Sequence, residues 1–313
     1  MPQPKQRILI DTDPGIDDAM ALLLALASPE LEVVAVTTVA GNNPDVRLMT
    51  HNALALLALG GRDDIPVAQG AAHSLTNRRL PVGADVHGAN ALGGAVIAPS
   101  PRRAVAESAA EFIVQHARAG LDALVTLAPL TNLALALDLC PELAQLAPRM
   151  SMMGGALAVP GNATPTAEAN ILNDPEAARR VFAAWPAITM AGLDITRQVV
   201  IGDAYLQRLR DVGNRAGVFL HASSQHYLNF YHSKGEAGLH MHDVHAIMAL
   251  VRPDLYTVQQ VCVDVETTGE LTRGQTVADW RGHWQRAPQT SMLFAVDAAA
   301  FMEEYARRIA TLP

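Results

Sequence analysis

Asp11, Asp13, Asp17 and Asp18 fall within eight residues of the stretch ILIDTDPGIDDAM. Like charges this close repel, and folding alone does not require them. One acid at the start of a helix is explained by capping and by the helix dipole, worth roughly 0.3 to 1 kcal/mol. Four are not. A hard divalent cation neutralises such a cluster, and Ca²⁺ takes six to eight oxygen ligands from carboxylates, carbonyls, amides and water. One loop cannot supply them all, so a distant acid is expected to complete the site. HMHDVHAIMAL offers Asp243, flanked by His240, His242 and His245. Zinc is the competing metal, since His242 and His245 can share a helix face. No HExxH pattern is present, and acids outnumber histidines.

The elements that must hold these residues follow from the patterning. Arg7 to Ile10 reads as a short buried strand, broken by Pro14 and Gly15, and Ala19 to Ala27 as a helix that Asp17 and Asp18 open. Leu31 to Ala40 is the next strand. VRLMTHNALALLALGG is a helix closed by glycines, and IPVAQG is a further strand. The rhythm continues through a helix at Glu107 to Ala119, strands at Ala123 to Pro129 and Arg149 to Gly155, the helix DPEAARRVFAAW and the strand AITMAGLD. Such βαβ alternation predicts a Rossmann-like, mostly parallel sheet flanked by helices. From Tyr256 the texture turns β-branched with glycine breaks, read as antiparallel hairpin strands attached to the main sheet near the C-terminus. No linker divides the chain, so residues 1–313 are expected to form a single α/β domain.

In such a sheet, ligands bind beyond the carboxyl ends of the strands. The four acids follow the first strand, Asn42 and Asn43 the second, and Thr131 and Asn132 the LVTLAP strand. Asn162, Glu168, Asn170 and Asn173 lie in the long loop after SMMGG. Asp11 and Asp13 point the same way if the first strand extends that far. Asp17 and Asp18 are adjacent on a helix and point about 100° apart, which suits two different jobs.

Composition narrows the function classes. Half of the 313 residues are hydrophobic, 17% are charged and the net charge is -8. This is a globular chain without the Lys/Arg stripe that nucleic acid demands. Cys140 and Cys262 lack metal or disulfide spacing and read as reduced structural residues. The longest clean apolar run, Ala19 to Ala27, is about half a bilayer span. The N-terminal stretch has no signal-like apolar region, so a cytoplasmic protein without membrane partners is expected.

Beyond these patterns, DTDPGIDDAMALLLAL resembles the signature of the inosine–uridine-type nucleoside hydrolases. VVAVTTVAGN, IPVAQGA, LAPLTNLALAL, MMGGA, GNATPTAEANILNDPEAA, HMHDVHA and VDVETTGELTRGQTVAD are similar to the family's other blocks, in the same order. The resemblance implies the nucleoside hydrolase fold and a Ca²⁺-dependent N-ribohydrolase that splits nucleosides by direct attack of water, with a homodimer or homotetramer as the assembly. It implies Asp13, Asp18, Asp243 and the Leu127 carbonyl as calcium ligands, with Asp13 also taking the water's proton. Asp17, Asn42, Met153, Asn162, Glu168 and Asn170 match ribose-gripping positions. His242 matches a residue proposed to protonate the leaving base, and His87 another pocket position. Asp11 falls to a supporting role behind Asp13. Tyr227 and Tyr231, four apart on a predicted helix, can stack on the base or serve as ordinary half-buried tyrosines.

Three departures from the family pattern stand out. Ala169 replaces an aromatic between Glu168 and Asn170. Ala89, Asn90 and Ala91 replace an acid and a glycine. Val244 and His245 follow Asp243. The first two are expected at the base pocket or its lid. Two rival readings remain open at this point. The Asp11-Thr12-Asp13 start resembles the haloacid-dehalogenase phosphatases, but Pro14-Gly15-Ile16 interrupts that pattern. The other is a binder of calcium and ribose without turnover.

Overall fold

The computed structural model describes residues 4–77 and 83–313. Its strands are β1 (Gln6–Thr12), β2 (Leu31–Thr38), β3 (Val67–Gln69), β4 (Ala123–Thr126), β5 (Arg149–Met153), β6 (Ala187–Ala191), β7 (Val200–Ile201), β8 (Leu239–His240), β9 (Tyr256–Val265), β10 (Thr276–Asp279) and β11 (Thr290–Val296). Nine of them form one sheet in the order β10-β9-β11-β6-β5-β4-β1-β2-β3, and β7 and β8 form a separate antiparallel ribbon. From β3 to β11 all neighbours are parallel, whereas β9 runs antiparallel to β11 and β10 antiparallel to β9. The doubly wound, mostly parallel sheet with antiparallel strands added near the C-terminus matches the sequence expectation. One detail exceeds it: β11 does not stay within the hairpin unit but also pairs in parallel with β6, joining that unit to the main sheet.

β1 shows how the sheet builds two cores. Successive side chains on a strand face opposite ways. Ile8 and Ile10 enter the core shared with the helices Ile16–Leu26, Arg215–Ser233, Val244–Val251 and Ala298–Ile309. Leu9 enters the other, with the helices Ala109–Arg118, Thr131–Leu139 and Pro175–Ala184. The helix Ile16–Leu26 is buried nearly all round, which explains its unbroken Ala, Leu and Met run. Both cysteines are free and buried, and among the described residues no helix is long and apolar enough to cross a membrane.

The strand order reverses at β1, which lies between β2 and β4. Such a switch point opens a crevice at the carboxyl ends of the strands. The Leu127 N–H, just past β4, donates to the Asp11 carbonyl at 2.9 Å, so the two strand ends are tied side by side beneath that crevice.

Candidate active site

The alternation that divides the cores also divides the acids. Asp11 shares its side of β1 with Leu9, and Thr12 shares the opposite side with Ile8 and Ile10. Asp11 Oδ1 accepts from Thr37 Oγ1 at 2.6 Å and from Asn132 Nδ2 at 2.8 Å. Thr12 Oγ1 donates to Asp18 Oδ1 at 2.5 Å, across to the helix Ile16–Leu26. Asp18 Oδ2 accepts from Gly15 N at 2.9 Å, so this acid does cap its helix, and it also accepts from Asn42 Nδ2 at 2.9 Å. β1 ends at Thr12, and Asp13 lies beyond it with its own partner: Oδ2 accepts from the Asn42 N–H at 2.6 Å. Asp13 Oδ1 is buried and has no protein hydrogen bond.

Asp243 arrives from the start of the helix Val244–Val251. Ligand oxygens of Asp17, Asp18 and Asp243 lie within 4.8 Å of one another, and all three side chains are buried. Burial pushes every one of these carboxyls up; repulsion adds to it at Asp17 and Asp243, whereas hydrogen bonds from Thr12 and Gly15 work against it at Asp18. Asp17 rises to about 8, by burial first and then by Asp18. Asp13 rises by burial and by Asp18, and Asp243 by burial and by Asp17, Asp18 and Asp13. Asp11 is raised to about 7 by burial, against which its Thr37 and Asn132 hydrogen bonds work. Buried acids raised in this way, two of them (Asp11 and Asp13) with an orphaned oxygen, fit a hard divalent cation, which supplies the missing positive charge and takes oxygen ligands. The zinc alternative does not fit. His242 and His245 diverge, the latter facing Tyr256 and Phe301, and no His joins the acid group among the described residues. The engagement of Asp11 with Thr37 and Asn132, behind the cavity, is also wrong for a phosphatase nucleophile.

A cavity of about 480 Å³ opens above the acids, large enough for a nucleoside. Asp17, Asn42, His87, Leu127, Met153, Asn162, Glu168, Asn170, Tyr227, Tyr231, His242 and Asp243 all line it. Asp13 and Asp18 do not line it, but both accept hydrogen bonds from Asn42, which does. Glu168 caps the short helix Ala169–Asn173: Oε1 accepts from Asn170 N, and Oε2 from Gly155 N and Ile171 N. Asn170 Nδ2 donates to the Leu127 carbonyl at 2.9 Å and to Met153 Sδ at 3.4 Å, and Asn162 Oδ1 accepts from Ala169 N.

The opposite wall is aromatic. Tyr227 Oη lies 3.5 Å from Asp17 Oδ2 and 3.4 Å from Tyr231 Oη. Tyr231 Oη is 2.7 Å from His242 Nε2, and His242 Nδ1 is 2.7 Å from Thr196 Oγ1. Burial holds His242 well below the usual histidine range, with His240 and His245 adding to the effect, so the ring is neutral at pH 7. His87 stacks on Tyr227 with ring centroids 5.4 Å apart. Its Nδ1 accepts from Ile16 N at 3.3 Å, and burial lowers its pKa to about 3. Its approach to Asp17 at 3.9 Å is therefore a contact with a neutral ring and not an ion pair.

Some rim residues serve structure instead. Asn132 holds Asp11 and the Thr38 carbonyl, and Thr131 binds Asp174. Ala169 lines the cavity, but Ala89, Asn90 and Ala91 do not. Asn90 braces its own loop, accepting from Leu92 N and Gly94 N, so of the two expected places, base pocket or lid, it does not take the first. Arg197, Phe230, Lys234, Glu236 and His240 line the cavity without having been singled out as site residues. Arg197 carries no sequence signal, whereas the nearness of Phe230, Lys234 and Glu236 to Tyr231 could have indicated them.

A switch-point crevice with buried acids at its floor and an aromatic wall defines a metal-assisted hydrolase of the open α/β class. The family model of the inosine-uridine preferring nucleoside hydrolases matches residues 8–303, and the chain belongs to that family. It is 41% identical over 305 residues to the non-specific ribonucleoside hydrolase RihC of Escherichia coli, covering 97% of this chain and 98% of that one. To the pyrimidine-specific ribonucleoside hydrolase RihA of Shewanella woodyi it is 42% identical over 312 residues, covering 97% and 98%. Among solved structures, a purine-preferring ribonucleoside hydrolase from Gardnerella vaginalis superposes with a TM-score of 0.92 at 33% identity, covering 97% and 98%. The protein is an N-ribohydrolase, cleaving the N-glycosidic bond of ribonucleosides at a buried acidic metal site.

Proposed function

We propose the following division of labour for that reaction. Asp13, Asp18, Asp243 and the Leu127 carbonyl hold Ca²⁺, with Asp17 bordering both the cation and the cavity. When bound, Ca²⁺ neutralises the acids and makes a nearby water easier to deprotonate. Asp13 takes the proton from the attacking water: one oxygen is fixed by Asn42, and the other has no protein partner. Asp17, Asn42, Met153, Asn162, Glu168 and Asn170 grip the ribose. The backbone N–H groups on Glu168 fix its carboxylate, which then orients a sugar hydroxyl and favours the positive charge that develops on the ribosyl group. His87, Tyr227, Tyr231 and His242 form the base end. The contacts from Asp17 through both tyrosines to His242 offer a route for a proton to the departing base.

The observation that carries this reading is the meeting of Asp17, Asp18 and Asp243 beside a nucleoside-sized cavity that Asp17 and Asp243 line. The three relatives named above differ in base preference as their names state it, so the preference of this chain is a matter for measurement. Reducing-sugar release from inosine, uridine, cytidine and xanthosine, with and without a calcium chelator, tests the reading. Turnover that survives complete chelation would sink the calcium assignment. Absence of turnover on every nucleoside would favour a binder. A single catalytic domain goes with this proposal, supported by one sheet that takes strands from Gln6 to Val296. So do a cytoplasmic location and a homodimer or homotetramer, the latter checked by light scattering.

A further inference from the structure

The cavity carries different charges at its two ends. Asp17, Asp243 and Glu168 line one side, whereas Arg197, Lys234 and Glu236 line it with Tyr231, His240 and His242, and of these Arg197 is the cation whose charge reaches His242. The fold builds this juxtaposition. β7 pairs antiparallel with β8, Val200 opposite His240, which lays the segment before β7 against the segment after β8. Thr196 thereby meets His242, and Arg197, the next residue, is held by its backbone N–H on the Leu193 carbonyl.

Arg197 is half-buried and is engaged through one Nη2 bond of 3.2 Å to the Gly161 carbonyl. No carboxylate pairs with it among the described residues, although many other arginines of this chain have one. A guanidinium has five N–H donors, so most of its donors are uncommitted. Its charge also reaches the neighbouring rings, opposing protonation of His242 and His240 and favouring ionisation of Tyr231.

Breaking an N-glycosidic bond separates charge. The ribosyl carbon loses the bonding pair and becomes cationic, while the base nitrogen keeps the pair and leaves as an anion unless a proton reaches it. Acids at the sugar end and a guanidinium without a carboxylate partner at the base end match the charges of the transition state better than those of the neutral substrate, which is the condition for raising kcat. We propose that Arg197 binds the departing base and stabilises its developing negative charge. The residue then favours nucleosides whose base leaves with a carbonyl oxygen sharing that charge, such as uracil, hypoxanthine or xanthine. This rests on the assignment above of the Tyr231–His242 wall to the base.

The test compares leaving groups. Wild type, Arg197→Met, Arg197→Gln and Arg197→Lys are assayed in saturating Ca²⁺ on uridine, inosine and 4-nitrophenyl β-ribofuranoside, whose nitrophenolate needs no stabilising partner. Arg197→Met and Arg197→Gln are expected to lose about 30-fold or more in kcat on uridine and inosine. On the nitrophenyl riboside they should stay within about threefold, with Arg197→Lys recovering part of the loss. Equal loss on all three substrates overturns the proposal, because it places Arg197 at the sugar or in the fold. Unchanged kcat on uridine and inosine overturns it as well. Wild-type turnover of the nitrophenyl riboside but of no nucleoside would instead remove the assignment of the wall to the base. That result is distinguishable, since it appears before any substitution is made.

Discussion

Tyr231 Oη and His242 Nε2 lie 2.7 Å apart, and the pair connects the cavity to Thr196 on one side and to Asp17, through Tyr227, on the other. A neutral His242 is a poor proton store at pH 7, so the proposed proton route to the base is expected to run through the Tyr231 hydroxyl. Tyr231→Phe removes that hydroxyl and keeps the ring. Its kcat on inosine is expected to fall about 10- to 100-fold, with KM within about threefold. Steady-state kinetics decide this, and an unchanged kcat takes Tyr231 off the proton's path.

Asp13→Asn keeps the shape and the Asn42 contact but cannot take a proton from water. Turnover of every nucleoside should drop by about 10³-fold or more, with the fold intact by circular dichroism. A kcat within about tenfold of wild type assigns the proton to another group.

Calcium removal is expected to destabilise the protein in a pH-dependent way. Without the cation, burial raises Asp17 to about 8, against about 3.9 for a free aspartate. The unfolded chain therefore releases its proton at lower pH than the fold does. The contribution of Asp17 to the stability of the metal-free fold is fully present below about pH 4 and is lost as pH rises towards 8. A bound cation reverses this by favouring the ionised acids. Chelation should lower Tm more at pH 8 than at pH 6, and calcium titrated into the metal-free protein should release protons. Equal shifts in Tm at both pH values count against a cation among these acids.

Gly41 is required for contact and not for backbone freedom. A Cβ there would overlap Asp13 Oδ2 and come within 3.1 Å of Pro129 Cδ. Gly41→Ala must turn the Asp13 carboxylate away from Asn42. A kcat loss of about 10²-fold is expected, with weaker calcium binding by calorimetry. Wild-type kcat with wild-type calcium affinity would mean that the orientation of Asp13 is immaterial.

Much of the framework was readable from local pattern. Apolar runs of strand and helix length alternate along the chain, and the acids and amides follow the predicted strands, so a polar rim was visible before any coordinates. Less readable was which polar residues serve structure. Asn132 and Thr131 sit at the rim like Asn42 and Asn170, yet they brace Asp11 and Asp174, because their helix lies on the far side of the sheet from the helix Ile16–Leu26. Asn90 was expected at the base pocket or its lid; it does not line the cavity and braces its own loop.

By itself the sequence determined the βα order, the placing of acids after the first strand and the need for a distant acid. Each of these depends on spacing within a short segment, where hydrophobic period, turn residues and like-charge repulsion act directly. The tertiary structure alone decided three things. The end of β1 at Thr12 frees Asp13 from the side that Asp11 occupies, so the two acids take different partners. β11 joins β6 as well as β9. The β7–β8 ribbon sets Thr196 and Arg197 against His242 across more than forty residues of chain. Strand pairing is set by register between distant segments, where a one-residue slip turns every side chain to the other face, and the point at which a strand ends depends on the neighbours it finds there.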